Sequence, residues 1–286
     1  MKVGFIGLGA MGLSMARNVA KVGLLAGVYN RTTVKAQTLA AELGVTNYQD
    51  ITTLAADMDV VLLCVSADAD VLAVVNAIAA TIRPGAVVVD MSTVSSGTAR
   101  QAAAILAEKQ AYFLDAPVSG GVEGAKNGTL AMMIGGDIDA LEHVRPVLAA
   151  MATRIVHIGA TGSGQATKAA NQIMCAGINQ AVTEALAFAQ AQGLPMEKVI
   201  DVISGGAAGN WFLDHRGKTM TSGSFAPGFK LALHHKDLKI CQTMATPTGV
   251  ATPLTDMTVA DYVQLMADGF GAEDISALYR LKIPKT

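Results

Sequence analysis

Two hydrophobic rhythms divide the chain. Lys2–Ile6, Leu25–Tyr29, Val60–Val65, Ala86–Asp90, Ala111–Leu114, Leu130–Ile134 and Ile155–Ile158 are short runs of largely apolar neighbours, and they predict strands. Between them Met11–Val22, Val34–Leu43, Val71–Ala80 and Gly97–Lys109 place apolar residues at helical spacing. A strand that is apolar on both faces needs cover on both. The pattern therefore predicts a parallel sheet with helices on each side, a doubly wound α/β domain.

Near Gly159–Gly164 the rhythm changes. From Gln165 to Gln192 there is no proline and one glycine, Gly177, so a long helix is expected. Met196–Ile203, Leu213–Thr221, Lys230–Thr243 and Pro253–Asp268 follow as further helices, punctuated by Gly and Pro. No later stretch reads as a strand. The boundary is expected at about Gly162, giving an α/β domain over 1–161 and an all-helical domain over 162–286.

Composition narrows the class. A chain of 286 residues, 51% hydrophobic and 15% charged, is long enough for two domains and too apolar to be disordered. Its 21 Lys+Arg against 23 Asp+Glu provide no basic field for nucleic acid. No apolar run reaches the length of a membrane span. Lys2 before an apolar segment imitates a signal peptide, but glycines interrupt that segment and Arg17 and Lys21 follow without a cleavage-like boundary. Cys64, Cys175 and Cys241 have neither metal spacing nor an even count for disulfides. The expectation is a cytoplasmic protein with reduced thiols, no metal, no nucleic-acid partner and no membrane.

The strongest motif is Gly7-Leu8-Gly9-Ala10-Met11-Gly12, which follows the first strand and opens the first helix. In such a G-x-G-x-x-G, the first glycine makes the tight turn and the second admits a pyrophosphate. The third lets helix and strand pack closely, and the helix N-terminus stabilises the phosphate charge. NAD specificity would place a carboxylate at the end of the second strand, but Tyr29-Asn30-Arg31-Thr32 stands there. Arg31 offers a guanidinium to a 2′-phosphate, with Asn30 and Thr32 adding hydrogen bonds, so NADP(H) is preferred and NAD(H) remains possible. The plain alternative for Arg31 is a solvated surface side chain.

Two further segments carry candidate chemistry. Asp115-Ala116-Pro117-Val118-Ser119-Gly120-Gly121 enters a Gly-rich loop ending near Gly128, at the strand end where open α/β sheets bind ligands. Backbone N–H groups and the Ser119 hydroxyl could hold a carboxylate there, or the segment is a mobile turn. Lys168 shares a helix face with Asn171 and Gln172. It could protonate an alkoxide while an amide orients the substrate, or be a solvated lysine. Trp211 either lines a pocket or joins the core. His234 and His235 are adjacent and so diverge on a helix, which makes them a poor metal pair.

Four segments in order resemble the β-hydroxyacid dehydrogenase family, which includes 3-hydroxyisobutyrate dehydrogenases and tartronate semialdehyde reductases. They are FIGLGAMGLSMARNV, DAPVSGGVEGAKNGTL, GSGQATKAANQ and HHKDLKIC, and the resemblance runs over essentially the whole chain. It implies a Rossmann-type N-terminal domain, a helical C-terminal domain joined to it by a long interdomain helix, an active site in a cleft, and homodimers or homotetramers. It also implies a small carboxylate substrate. By resemblance Lys168 is the catalytic lysine, Ser119, Gly120 and Gly121 form the substrate-carboxylate loop, and Thr93 and Lys236 contact the cofactor. The family often has asparagine four residues after the lysine. Here Gln172 stands there and asparagine is at Asn171, which leaves open which amide orients the substrate. A non-catalytic NADPH-binding scaffold and an imine reductase are the competing readings. The first would not need to keep lysine, amides and Ser-Gly-Gly loop together, and the second usually lacks the lysine.

Overall fold

The structure, a computed structural model, describes residues 1–283. The chain forms two compact units, Met1–Lys168 and a second from Ala169 onward. This division falls inside a helix rather than ahead of it at 161/162, because the first turn of that helix is bonded to the sheet of the first unit (below).

In the first unit the strands are β1 (Val3–Ile6), β2 (Leu25–Tyr29), β3 (Thr46–Asn47), β4 (Val60–Leu63), β5 (Val87–Asp90), β6 (Tyr112–Asp115), β7 (Val118–Ser119), β8 (Leu130–Gly135) and β9 (Ala152–Gly159). They form one sheet in the order β3-β2-β1-β4-β5-β6-β8-β7, with β9 also paired to β8. The strands from β3 to β6 are parallel. Every residue of β1, β4 and β5 is buried, as their apolar runs require, Asp90 at the end of β5 included. Alternate side chains serve opposite faces. Phe5 and Leu62 join one core with Met15 and Leu114, whereas Ile6 and Leu63 join the other with Val71 and Ile78. Each such fully buried side chain contributes roughly 1.5–3 kcal/mol.

The sheet departs from the expected all-parallel pattern at one end. β8 runs antiparallel to β6 and β7, and β9 then runs parallel to β8. The registers Asp115↔Gly135 and Val118↔Met132 are continuous, so β6 and β7 are two halves of one strand interrupted at Ala116-Pro117. The connection back to β8 is too short for a parallel crossover, and short connections give antiparallel neighbours.

The helices of this unit are α1 (Gly12–Lys21), α2 (Thr33–Leu43), α3 (Ile51–Asp57), α4 (Asp68–Ala79), α5 (Ser96–Ala107), α6 (Gly121–Asn127) and α7 (Ile138–Leu148). The second unit takes in α8 (Ser163–Ala191) from Ala169 on, then α9 (Met196–Ser204), α10 (Trp211–Thr221), α11 (Leu231–Ala245) and α12 (Pro253–Ala267), closed by a 3-10 turn, Ile275–Leu281. α8 is about 44 Å long at 1.5 Å per residue. Leu186, Phe212, Leu231, Leu238, Tyr262 and Leu278 fill the helical core. Among the described residues the second unit has no strand, only an isolated bridge between Lys230 and Asp274. None of the described helices is long and apolar enough to cross a membrane.

Candidate functional site

β1 lies where the strand order reverses, between β2 and β4, and the crevice at such a switch point is where open α/β sheets take ligands. Its three glycines meet different demands. Gly7 has φ +96°, and a methyl there would sit 2.1 Å from the Cys64 carbonyl oxygen. A methyl on Gly12 would sit 2.0 Å from the Gly7 carbonyl oxygen, whereas one on Gly9 would meet nothing within 4 Å. The turn is thus closed at both ends and open in the middle. α1 has Met11 at its N-cap position, with no side-chain cap and no acidic residue in its first turn. An anion would complete that helix end, so these residues fit a dinucleotide pyrophosphate. Leu8 buries its side chain and donates its N–H to Asn30 Oδ1 at 2.8 Å, while Ala10 is exposed and Met11 half-buried.

Asn30 also donates to the Thr32 carbonyl at 3.0 Å, which shapes the turn after β2. Arg31 projects from that turn with its side chain 87% exposed, and its guanidinium reaches Asp70 Oδ1 on α4 at 3.3 Å. Thr32 is the exposed residue preceding α2. A cation therefore stands at the end of β2, with a carboxylate from the neighbouring helix beside it.

The turn after β5 and the end of β6 are bonded to the start of α8. Asp115, at the end of β6, is fully buried and accepts the N–H groups of Gly162 (2.7 Å) and Gln165 (2.9 Å). Burial pushes its carboxyl above the usual range, against the backbone N–H groups that pull it down. The turn after β5 is held by its own bonds: Ser92 N–H donates to Asp90 Oδ1 and Val65 N–H donates to Ser92 Oγ, both at 2.9 Å. Thr93 is half-buried in that turn. Lys168 is the last residue of the first unit and only 8% exposed, so the reading of it as a solvated lysine is set aside.

The Gly-rich segment is ordered differently from the expected loop. Ser119 pairs with Ala131 as part of β7, Gly120 and Gly121 take φ +127° and +61°, and the chain then forms α6 up to Gly128. The positive-φ glycines let a strand turn directly into a helix, leaving Ser119 half-buried and Gly120 and Gly121 exposed. Asn18 on α1 donates to the Ala125 carbonyl at 2.7 Å and so ties the dinucleotide helix to α6.

In the second unit Gln172 is 1% exposed and fully engaged. Its Nε2 donates to Asp237 Oδ2 at 2.7 Å, and its Oε1 accepts from Asn171 Nδ2 at 2.8 Å. Asn171 is half-buried. Lys236 Nζ lies 3.1 Å from Asp237 Oδ1, so α11 presents a cation backed by a carboxylate that also fixes the amides of α8. Trp211 is not core: it is 61% exposed on α10, stacked on His215 at 4.1 Å with Arg216 over its ring at 5.0 Å.

Both halves of the chain match family models. Residues 2–159 match one described as the NAD binding domain of 6-phosphogluconate dehydrogenase. Residues 162–282 match one described as NAD-binding of NADP-dependent 3-hydroxyisobutyrate dehydrogenase. The chain belongs to the β-hydroxyacid dehydrogenase family. This β-hydroxyacid dehydrogenase is 39% identical to an uncharacterized oxidoreductase of Shewanella frigidimarina, over 97% of this chain and 96% of that one. It is 33% identical to 2-(hydroxymethyl)glutarate dehydrogenase of Eubacterium barkeri, over 98% and 94%. The solved structure of Mycobacterium tuberculosis 3-hydroxyisobutyrate dehydrogenase with L-serine superposes with a TM-score of 0.90 at 33% identity, covering 98% of each chain. The enzyme is accordingly an NAD(P)-dependent oxidoreductase acting on CH–OH groups.

Two residues of this dehydrogenase lie inside the quoted segments without a role expected of them. Asp115 opens the segment that leads to Ser119, and Gln165 stands between Gly164 and Lys168. Their signal is present but indirect: Gln165 stands three residues before Lys168 on one helix face.

Proposed function

We propose that this dehydrogenase interconverts a short 3-hydroxy acid and its semialdehyde, of the tartronate semialdehyde or 3-hydroxyisobutyrate type, with NADP(H) preferred. The observation that carries the reading is Lys168. It is a buried lysine three residues past Gln165, whose hydrogen bonds tie the first turn of α8 to the turn after β5 and to the end of β6. L-serine, named with the M. tuberculosis relative, is itself a short acid with a hydroxyl on C3, which supports this substrate class. The cofactor preference rests on Arg31 at the end of β2, where an NAD-type carboxylate is lacking.

When bound, the reduced nicotinamide supplies hydride to the aldehyde carbon. Ser119 donates its hydroxyl, and Gly120 and Gly121 their N–H groups, to the substrate carboxylate, with Thr93 and Lys236 on the cofactor side. The Lys168 ammonium protonates the alkoxide oxygen as it forms, and in the oxidative direction the neutral amine accepts that proton. Asn171 orients the substrate, with Gln172 and Asp237 fixing the Asn171 amide from behind.

The test is the initial rate of NADPH and NADH oxidation with tartronate, methylmalonate and succinate semialdehydes and glyoxylate. Fast reduction of one of them with NADPH is expected. Lys168→Ala should lose about 10²–10⁴-fold in kcat, the usual contribution of a general acid, while still binding NADPH. Unimpaired turnover in that variant overturns the reading.

A further inference from the structure

Gln165 is 1% exposed, and both ends of its side-chain amide are used on one turn. Nε2 donates to the Ser92 carbonyl at 2.8 Å, and Oε1 accepts from the Val94 N–H at 3.2 Å. These two groups bracket Thr93. The main chain of the same residue donates to Asp115 Oδ2 at 2.9 Å. One residue thus joins the turn after β5 and the end of β6 to the first turn of α8, and Lys168 follows three residues later on the same helix face.

The surroundings leave the helix start little room. A methyl on Gly164 would lie 2.3 Å from the Met133 carbonyl oxygen and 2.7 Å from that of Asp115. Ser96 Oγ donates to the Gly162 carbonyl at 2.8 Å. The turn on the other side of Gln165 is fixed to β4 and β5 through Val65 and Asp90. Asp115 pins the origin of the helix, and Gln165 sets its rotation about that pin.

We propose that Gln165 is a positioning residue of the reaction, holding the helix that carries Lys168 in register with the Ser92–Val94 turn. This rests on Lys168 being the proton donor. Only glutamine has the length, the donor and the acceptor for this clamp. Methionine fills the space with neither, and a carboxylate accepts from Val94 but cannot donate to Ser92 unless it is protonated.

The test compares Gln165→Met, Gln165→Glu and Lys168→Ala with wild type. For Gln165→Met, kcat should fall on the order of tenfold to a hundredfold, as a roughly 1 Å misplacement of a catalytic group produces, with the aldehyde KM little changed. Gln165→Glu should recover kcat relative to wild type as the pH falls, because the protonated carboxyl again donates to Ser92, with circular dichroism showing the same folded state throughout. A readout independent of turnover is amide exchange without cofactor: the Val94 N–H should be protected in wild type and exchange faster in Gln165→Met.

Wild-type kcat in Gln165→Met overturns the proposal, as does a Gln165→Glu to wild-type ratio that does not change with pH. Should neither variant fold, a wild-type Val94 amide exchanging as fast as an exposed loop overturns it too. Unimpaired Lys168→Ala would instead overturn the underlying reading, so the two failures are distinguishable.

Discussion

At Gly12 an added methyl would lie against the backbone of Gly7, and at Gly9 it would lie in open space. The same substitution therefore separates folding from binding. Gly12→Ala should lower the melting temperature and weaken NADPH binding together, because backbone must move to admit the side chain. Gly9→Ala should hold stability within about 0.5 kcal/mol, as surface changes do, and lose NADPH affinity alone. Thermal melts beside an NADPH titration read both, and an unchanged affinity in Gly9→Ala would remove Gly9 from the pyrophosphate approach. Arg31 tests the 2′-phosphate in the same way. A hydrogen bond to a charged group contributes about 1.5–3 kcal/mol, so Arg31→Ala should cost roughly ten- to a hundredfold in kcat/KM for NADPH and little for NADH. Equal losses with both cofactors would show that Arg31 does not read the phosphate.

At the scale of elements, legibility followed burial on both faces. β1 and β4 are apolar at every position, and β5 at all but its last, Asp90, because each is covered twice, and such runs stand out from the sequence. The omissions have particular causes. β3 is two residues long, too short for any periodicity. α6 is flanked by glycines at positive φ and contains Gly124, so it reads as loop. α7 carries Pro146 near its end, although its start is marked by Asp137 capping the Ala140 N–H. The antiparallel turn of β8 follows from connection length, which apolar patterning does not report. In the candidate site, the glycines and Lys168 stand out because the segments quoted from the sequence are built on those residue types. The contacts of Gln165 and Asp115 do not, although both residues lie in those segments, because their partners are backbone groups distant in sequence. Asp115 gives an element-scale prediction: Asp115→Ala leaves the Gly162 and Gln165 N–H groups unsatisfied at a buried helix start, costing about 1–3 kcal/mol for each. Chemical denaturation measures it, and a loss below about 0.5 kcal/mol, the ordinary range of surface changes, would show that the carboxylate does not anchor α8.

For the whole molecule, the two units have cores that share no residue, and each depends on a different anchor. In the second unit the anchor is Asp274, 2% exposed, which accepts from the Arg216 guanidinium at 2.7 Å and from the N–H groups of Gly228, Phe229 and Ser276. Burial pushes its carboxyl up, but Arg216 and the backbone donors outweigh that and hold it below the usual carboxylate range. A carboxyl lowered by folding adds stability above its unfolded pKa, and loses it as the pH falls through the lowered folded value. The second unit should therefore weaken below about pH 4 in wild type. Asp274→Asn, already without the charge, should be destabilised by about 3–5 kcal/mol at neutral pH and lack that acid step. NADPH at a hundred times its Kd should add about 2.7 kcal/mol, mainly to the first unit, which carries the glycine turn and Arg31, with Lys236 the contribution of the second. Calorimetry should accordingly resolve two transitions, one raised by NADPH and the other lowered by Asp274→Asn. A single transition that answers to both would show that α8, continuous through Lys168 and Ala169, makes the two cores unfold as one.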